Sequence, residues 1–380
     1  MNTDVSVYLD YNATAPAQPE VIKAMAETMA LGATNPSSVH ASGREARRRI
    51  EKAREEVAAL VGADAEQVIF TMGGTEANNL VLAGCGMPRI LVSAVEHAAV
   101  LRVALMKSQN ATVIPVSVDG VVDLDALDQL LGADEAPALV SVMAANNETG
   151  VLQPIKDVVE ISRSHDAKVH TDAAQAAGKV AIDFSGWNVD FMTLSAHKIG
   201  GPQGVGAVIC RKRDDLRPII LGGGQEHGLR GGTENVAGIV GFGVAARLAA
   251  IELENSARRM VGLRDSMEKH LLDEVPHMKI IGAGAARLPN TSCMTMPGVR
   301  NDTQVMALDL AGVAVSAGSA CSAGKVEPSH VLDAMGIGED NAIATIRVSL
   351  GNSSTQPHVE KFIAAWLDLW KRKGNSRTAA

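Results

Sequence analysis

"DFMTLSAHKIGGPQGVGAVIC", residues 190–210, holds two apolar runs separated by a polar turn punctuated with glycine. The first ends at Ser195 and the second at Cys210, each short, rich in β-branched or aliphatic residues, and apolar on both alternations. Such runs read as strands buried on both faces of a sheet. Outward along the chain the pattern repeats in "QVIF" (67–70), "RILVSA" (89–94), "TVIPV" (112–116), "ALVSVMA" (138–144) and "KVHTD" (168–172). Between these runs, Glu76–Ala83, Ala98–Lys107, Asp125–Leu131 and Ile155–Ser164 have helical patterning. Apolar strands alternating with helices predict an α/β domain built on a mostly parallel, seven-stranded sheet. In such sheets ligands bind beyond the carboxyl ends of the strands, so the residues following each run are the ones to examine.

The large domain is expected over residues 16–250. A smaller α+β domain is expected from residues 1–15 and 251–380, with strand-like "NTSCMTM", "VAVSA" and "ATIRVSL" and a final helix from Gln356 to Lys371. Of the 380 residues 46% are hydrophobic but only 3% aromatic, so the core must be aliphatic, helped by 15 Met. A net charge of −8 argues against general nucleic-acid binding, which needs clustered cations. The densest basic run, Arg44 to Arg54, alternates with Glu and Ala and reads as a solvated helix face. The start of the chain lacks a basic, then apolar secretory pattern, and the apolar stretch Gly238–Leu253 reads as too short to span a bilayer. The expectation is therefore no membrane segment and a cytoplasmic location. Cys85, Cys210, Cys293 and Cys321 are widely spaced, which gives neither a zinc site nor a disulfide framework. Cys210 and Cys293 lie in apolar strands and read as inert, buried thiols.

Lys198 follows the strand ending in Ser195 and precedes Gly200, Gly201 and Gly204, where backbone and ligand can approach closely. Most lysines are solvated surface groups. A Schiff-base lysine holding pyridoxal phosphate is the sharper reading, and three further segments favour it. Asp172 ends another strand, where a carboxylate could face the cofactor's pyridinium nitrogen or simply cap a helix. Gln175, one helical turn on, could donate to the ring's phenolic oxygen. "FTMGGTEANN" is strand, Gly-Gly, helix start, so Gly74 and Thr75 form a candidate anion site for the cofactor phosphate. His97 stands just beyond a fourth strand and could stack on the ring or carry protons. No GxxxxGK[ST] is present, and no GxGxxG opens a helix after the first strand, so nucleotide readings have no support. Finally, "VSAGSACSAGK" (315–325) places Cys321 in a polar, glycine-rich stretch, an unusual setting for a residue that prefers the interior.

With these segments assembled, the chain resembles the cysteine desulfurases, pyridoxal-phosphate enzymes of the aspartate-aminotransferase fold (fold type I) that serve nitrogen fixation and iron–sulfur cluster assembly. The likeness runs in order through "YLDYNATAP", "NPSSVHASGR", "MGGTEANN", "EHAAV", "NNETG", "HTDAAQAAGK", "SAHKIGGPQGVG", "GGGQEHGLRGGTEN", "SAGSACSAG" and "IRVSLG". It implies that Lys198 bonds the cofactor and moves the Cα proton, that Asp172 and Gln175 hold the ring, and that His97 stacks on it. It also implies that Thr75, Ser195 and His197 bind the phosphate, with Thr233 reaching in from a second subunit of a homodimer. Asn147 and Arg347 would fix the carboxylate of substrate L-cysteine. Cys321 would accept its sulfur as a persulfide, leaving alanine, and pass it to a protein such as an iron–sulfur scaffold. No metal is implied. Another fold type I enzyme, an aminotransferase or selenocysteine lyase, would share Lys198 and Asp172 but would not need the Cys321 loop. A non-catalytic scaffold would not need Lys198, Asp172, His97, Cys321 and Arg347 together.

Overall fold

The computed structural model describes residues 7–33, 35–107, 111–317 and 329–373. All seven runs become strands: β2 (Val68–Thr71), β3 (Arg89–Ser93), β4 (Ala111–Ile114), β5 (Ala138–Ser141), β6 (Lys168–Asp172), β7 (Phe191–Ser195) and β8 (Gly206–Cys210), with β1 (Val7–Tyr8) preceding them. They form one sheet in the order β2-β8-β7-β6-β5-β3-β4. The neighbours from β4 to β7 run parallel, while β8 is antiparallel to both β7 and β2. β5 stops three residues short of the predicted run. Its continuation still follows β6, with Val142 N donating to His170 O at 3.1 Å and Ala144 N to Asp172 O at 2.9 Å.

β9 (Thr291–Thr295), β10 (Val313–Ala314) and β11 (Thr345–Ser349) follow in chain order. β11 pairs antiparallel with β9, and β10 pairs parallel with β1. Two isolated bridges, Asp10 to Ser349 and Ser316 to Arg347, join the two pairs. A second core, with Val7, Leu9, Met267, Ile346, Phe362 and Trp366, fills the space around them.

The expected boundary near residue 250 falls inside one 39-residue helix, Val236–Glu274. Its first half gives Ile239, Phe242 and Ala246 to the core under the large sheet, and its second half gives Met260 and Leu271 to the smaller core. This helix is longer than the apolar stretch predicted, and an 18-residue window of it is apolar enough to cross a bilayer by length and composition. Half of that window is buried inside the protein, as in a helix shared between two cores.

The basic run also departs from expectation. Most of it lies on the outer face of helix Ala41–Leu60, but Arg54 turns inward and is 4% exposed. Its guanidinium forks onto Glu226 at 2.8 and 2.9 Å and donates to Val68 O at 2.8 Å, while Glu226 accepts from Phe70 N at 2.8 Å. The pair thus ties helix, loop and edge strand β2 together just before the Gly73-Gly74 turn, and it holds Glu226 at a φ of 44°. Arg54→Met should cost about 3–5 kcal/mol by leaving Glu226 buried and unpaired. Most of that loss should return in Arg54→Met/Glu226→Met, and urea unfolding of both variants checks this.

Candidate active site

Asp172 ends β6 near the middle of the sheet, 7% exposed. Asn78 Nδ2 donates to one carboxylate oxygen at 2.8 Å and Ala174 N to the other at 2.9 Å. Both oxygens are thus fixed in direction. No regular helix follows; residues 174–179 form consecutive turns, so the carboxylate caps a turn. The next strand, β7, delivers Ser195, His197 and Lys198, the last two through a short 3-10 turn. β3 delivers His97, whose Nδ1 accepts from Ala99 N at 3.1 Å at the start of helix Ala98–Lys107. β2 delivers Gly74 and Thr75.

Lys198 Nζ donates to Asn12 O at 2.6 Å and Ala13 O at 2.9 Å. Burial, reinforced by nearby Arg347, pushes this amine down to about 8, while Asp172 and Asp10 oppose the shift. An amine so placed is partly unprotonated near neutrality and therefore nucleophilic. Gln175 Nε2 donates to the same Asn12 oxygen at 2.9 Å. A half-open cavity of about 330 Å³, lined in part by Tyr11, Pro16, Gln18 and Ala249, lies against Lys198 and Lys179.

Arg347, on β11, gives Nη1 to Asn147 O at 2.9 Å and Nη2 to Asp10 Oδ1 at 2.6 Å. Its Nε is buried with no hydrogen-bond partner among the described residues. Asn147 and Arg347 are therefore brought together, but through the Asn147 backbone and with Asp10 holding one prong of the fork.

Gly74 opens helix Gly74–Gly84, which has no side-chain cap. A Cβ on Gly74 would lie 3.4 Å from Ser195 Cβ, so the helix N-terminus stands directly against the β7 end. His197 Nδ1 pairs with Thr14 Oγ1 at 3.1 Å, and burial plus Lys198 and Lys179 pushes its ring down to about 4. His97 is exposed as a residue, yet the surrounding protein desolvates its ring and lowers it from the usual imidazole range. Thr75 is exposed in the first helical turn. Thr233 is exposed on the loop that packs Gly231 against Gly222, and no hydrogen bond or ion pair among the described residues joins that loop directly to Lys198. Cys321 lies outside the described residues.

Comparison with known proteins decides the family. The class-V aminotransferase model matches residues 7–362. The chain belongs to the class-V aminotransferases, in their cysteine desulfurase branch. A cysteine desulfurase of Dictyoglomus turgidum is 40% identical over 359 residues, covering 92% of this chain and 91% of the relative. Among solved structures, a NifS-like protein of Rickettsia africae superposes with a TM-score of 0.89 at 36% identity, covering 96% of this chain and 99% of that one. A structure of SspA in complex with cysteine superposes with a TM-score of 0.78 at 32% identity, covering 91% of this chain and 99% of that one.

For a desulfurase the remaining thiols matter. Cys85, Cys210 and Cys293 are free and buried, and burial pushes each thiol up, Cys210 to about 12. None of the three is a ready thiolate, and Cys210 and Cys293 are inert strand residues as expected.

Several site residues were not legible as such. Asn12, Asp10, Asn78 and Lys179 contact the predicted residues directly; Asn12 and Asp10 lie in "YLDYNATAP" and Lys179 ends "HTDAAQAAGK", so only the motifs hinted at them. Glu96 is buried, with one oxygen accepting from Met143 N and the other without a partner among the described residues, and burial beside Asp172 raises it well above the carboxylate range.

His170, inside β6, is fully buried between Ser141 Oγ at 2.8 Å and Thr193 Oγ1 at 3.1 Å, and burial pushes it down to about 4. A group with a depressed folded value stabilises above its unfolded value near 6.5, and that stability is lost as pH falls toward 4. Wild type should therefore lose about 3 kcal/mol more stability across this window than His170→Asn, read from urea midpoints at pH 4 to 7.

Proposed function

We propose that this desulfurase uses pyridoxal phosphate bonded at Lys198 to convert L-cysteine to L-alanine, placing the sulfur on Cys321 as a persulfide. The observation that carries the reading is the pairing of a depressed amine, Lys198, with a rigidly held carboxylate, Asp172, at the ends of adjacent strands.

The residues present fit the cofactor. The N-terminus of helix Gly74–Gly84, without a side-chain cap, has Thr75 in its first turn and Ser195 against it, and with His197 two residues beyond Ser195 these are the donors a phosphate needs. Asp172 supplies the carboxylate for a pyridinium N–H, and His97 the flat ring to cover it. The Nε of buried Arg347, without a partner among the described residues, is a donor in waiting for the substrate carboxylate, with Asn147 alongside. When bound, pyridoxal phosphate supplies an electron sink that loosens the Cα proton of an amino acid.

The chain's own groups do the rest. The Lys198 amine, near 8, can take a proton from Cα and return one to carbon. Its ammonium state is restrained by Arg347 and burial, so it does not hold the proton permanently. His97, kept mostly neutral, can take the Cys321 thiol proton. The Cys321 thiolate attacks the substrate Sγ; the new S–S bond forms as the C–S bond breaks. The electron pair of that bond stays with carbon, and protonation there gives alanine. A thiol reductant then releases sulfide, or an acceptor thiol takes the sulfur.

The reading extends to a homodimer, with Thr233 completing the partner's phosphate site, to a cytoplasmic setting and to a protein sulfur acceptor such as an iron–sulfur scaffold. What supports these is the family resemblance and the exposure of Thr233.

Wild type with L-cysteine and a reductant should release alanine and sulfide in equal amounts. Cys321→Ala should stay yellow while both products fall by roughly 100-fold or more. A mutant with full activity would sink the persulfide step. Lys198→Ala should be colourless after gel filtration, and a retained yellow band would contradict its role.

A further inference from the structure

Lys179 is a second lysine in the site, and no step above uses it. It is 7% exposed, and its Nζ donates to Gln175 Oε1 at 2.9 Å and to Asn12 Oδ1 at 3.4 Å. Both partners are neutral amides, and no carboxylate pairs with Lys179 among the described ion pairs. A buried cation without an anion is costly, and burial with Lys198 and Arg347 nearby pushes it down to about 7. A leucine or methionine would fill this place at lower cost, so the amine calls for a reason.

The geometry of Gln175 supplies it. A glutamine amide has an acceptor end and a donor end of nearly equal shape, and its neighbours decide which faces where. Lys179 Nζ carries N–H donors whether charged or neutral, and Oε1 is the end of the amide set against it at 2.9 Å. Nε2 is thereby turned the other way, where one hydrogen goes to Asn12 O at 2.9 Å. The Asn12 oxygen alone fixes one Nε2 hydrogen and leaves Oε1 without a donor. Without Lys179, Oε1 would be buried unsatisfied and the amide would turn toward another donor.

We propose that Lys179 is a positioning residue: by holding Gln175 Oε1 it aims the second Nε2 hydrogen at the phenolic oxygen of bound pyridoxal phosphate. This rests on the cofactor reading above. A donor at that oxygen favours its anionic form, so its loss raises the pH at which the cofactor's visible absorption changes.

The test is a spectral pH titration of the pyridoxal-phosphate-loaded protein, as wild type, Lys179→Met, Gln175→Leu and the double variant, with circular dichroism to check folding. Lys179→Met and Gln175→Leu should each raise the midpoint by about one pH unit, and the double variant should match Gln175→Leu alone. A direct charge effect of Lys179 would persist in the Gln175→Leu background and add to it; additive shifts, or no shift in Lys179→Met, overturn the proposal. Lys179→Gln keeps an N–H donor without the charge and decides the matter if the Met variant does not fold. Its midpoint should stay at the wild-type value, and a rise would overturn the proposal. A wild type that develops no visible band with pyridoxal phosphate would overturn the cofactor reading itself, and this inference with it.

Discussion

Asn12 is the residue on which the site depends. Its backbone oxygen receives the Lys198 amine at 2.6 Å and Gln175 at 2.9 Å. Its side-chain amide donates to Asn147 O at 3.2 Å and Thr291 Oγ1 at 2.9 Å, and accepts from Asn290 at 3.0 Å and Lys179 at 3.4 Å. Its backbone N–H is taken by Ser349 Oγ at 3.0 Å. One residue, 1% exposed, thus joins the carboxyl ends of β6 and β7 to β9 and β11 of the smaller core. The large sheet supplies the chemistry and the small domain fixes its geometry, and both requirements meet in one fully bonded asparagine.

The electrostatics follow from that crowding. Lys198, Lys179 and Arg347 share a small buried volume with Asp172 and Asp10, and desolvation lowers both amines below their solution range. The two lysines differ in what they can reach. Among the described residues, Lys198 Nζ donates to backbone oxygens of the N-terminal segment alone. Lys179 is held by two side-chain amides that are themselves held. The histidines His97, His170 and His197 are all lowered by burial, so their rings are held in the neutral form.

Much of this was legible in sequence because strands buried on both faces are written as short apolar runs, and all seven became strands in one sheet. The residues after them, Asp172, Ser195, Lys198, His97 and Gly74, face one another because they end strands in a shared, mostly parallel direction. What was not legible required contacts between distant segments. Arg54 sits in a run of exposed arginines, and nothing local distinguishes it; only the loop carrying Glu226, 172 residues on, makes it a buried partner. Lys179 likewise follows a glycine, and nothing local shows that Asn12, far earlier in the chain, packs against it. The helix that crosses residue 250 runs through the expected boundary, and its two halves serve different cores while its pattern stays continuous.

The central claim is that Lys198, and not its buried neighbour Lys179, bonds the cofactor. Loading the protein with pyridoxal phosphate, reducing it with borohydride to fix any Schiff base as a stable secondary amine, and mapping the digest by mass tests this directly. The account predicts the cofactor mass on the peptide containing Lys198. A label on the Lys179 peptide, or none on a folded protein, would contradict it.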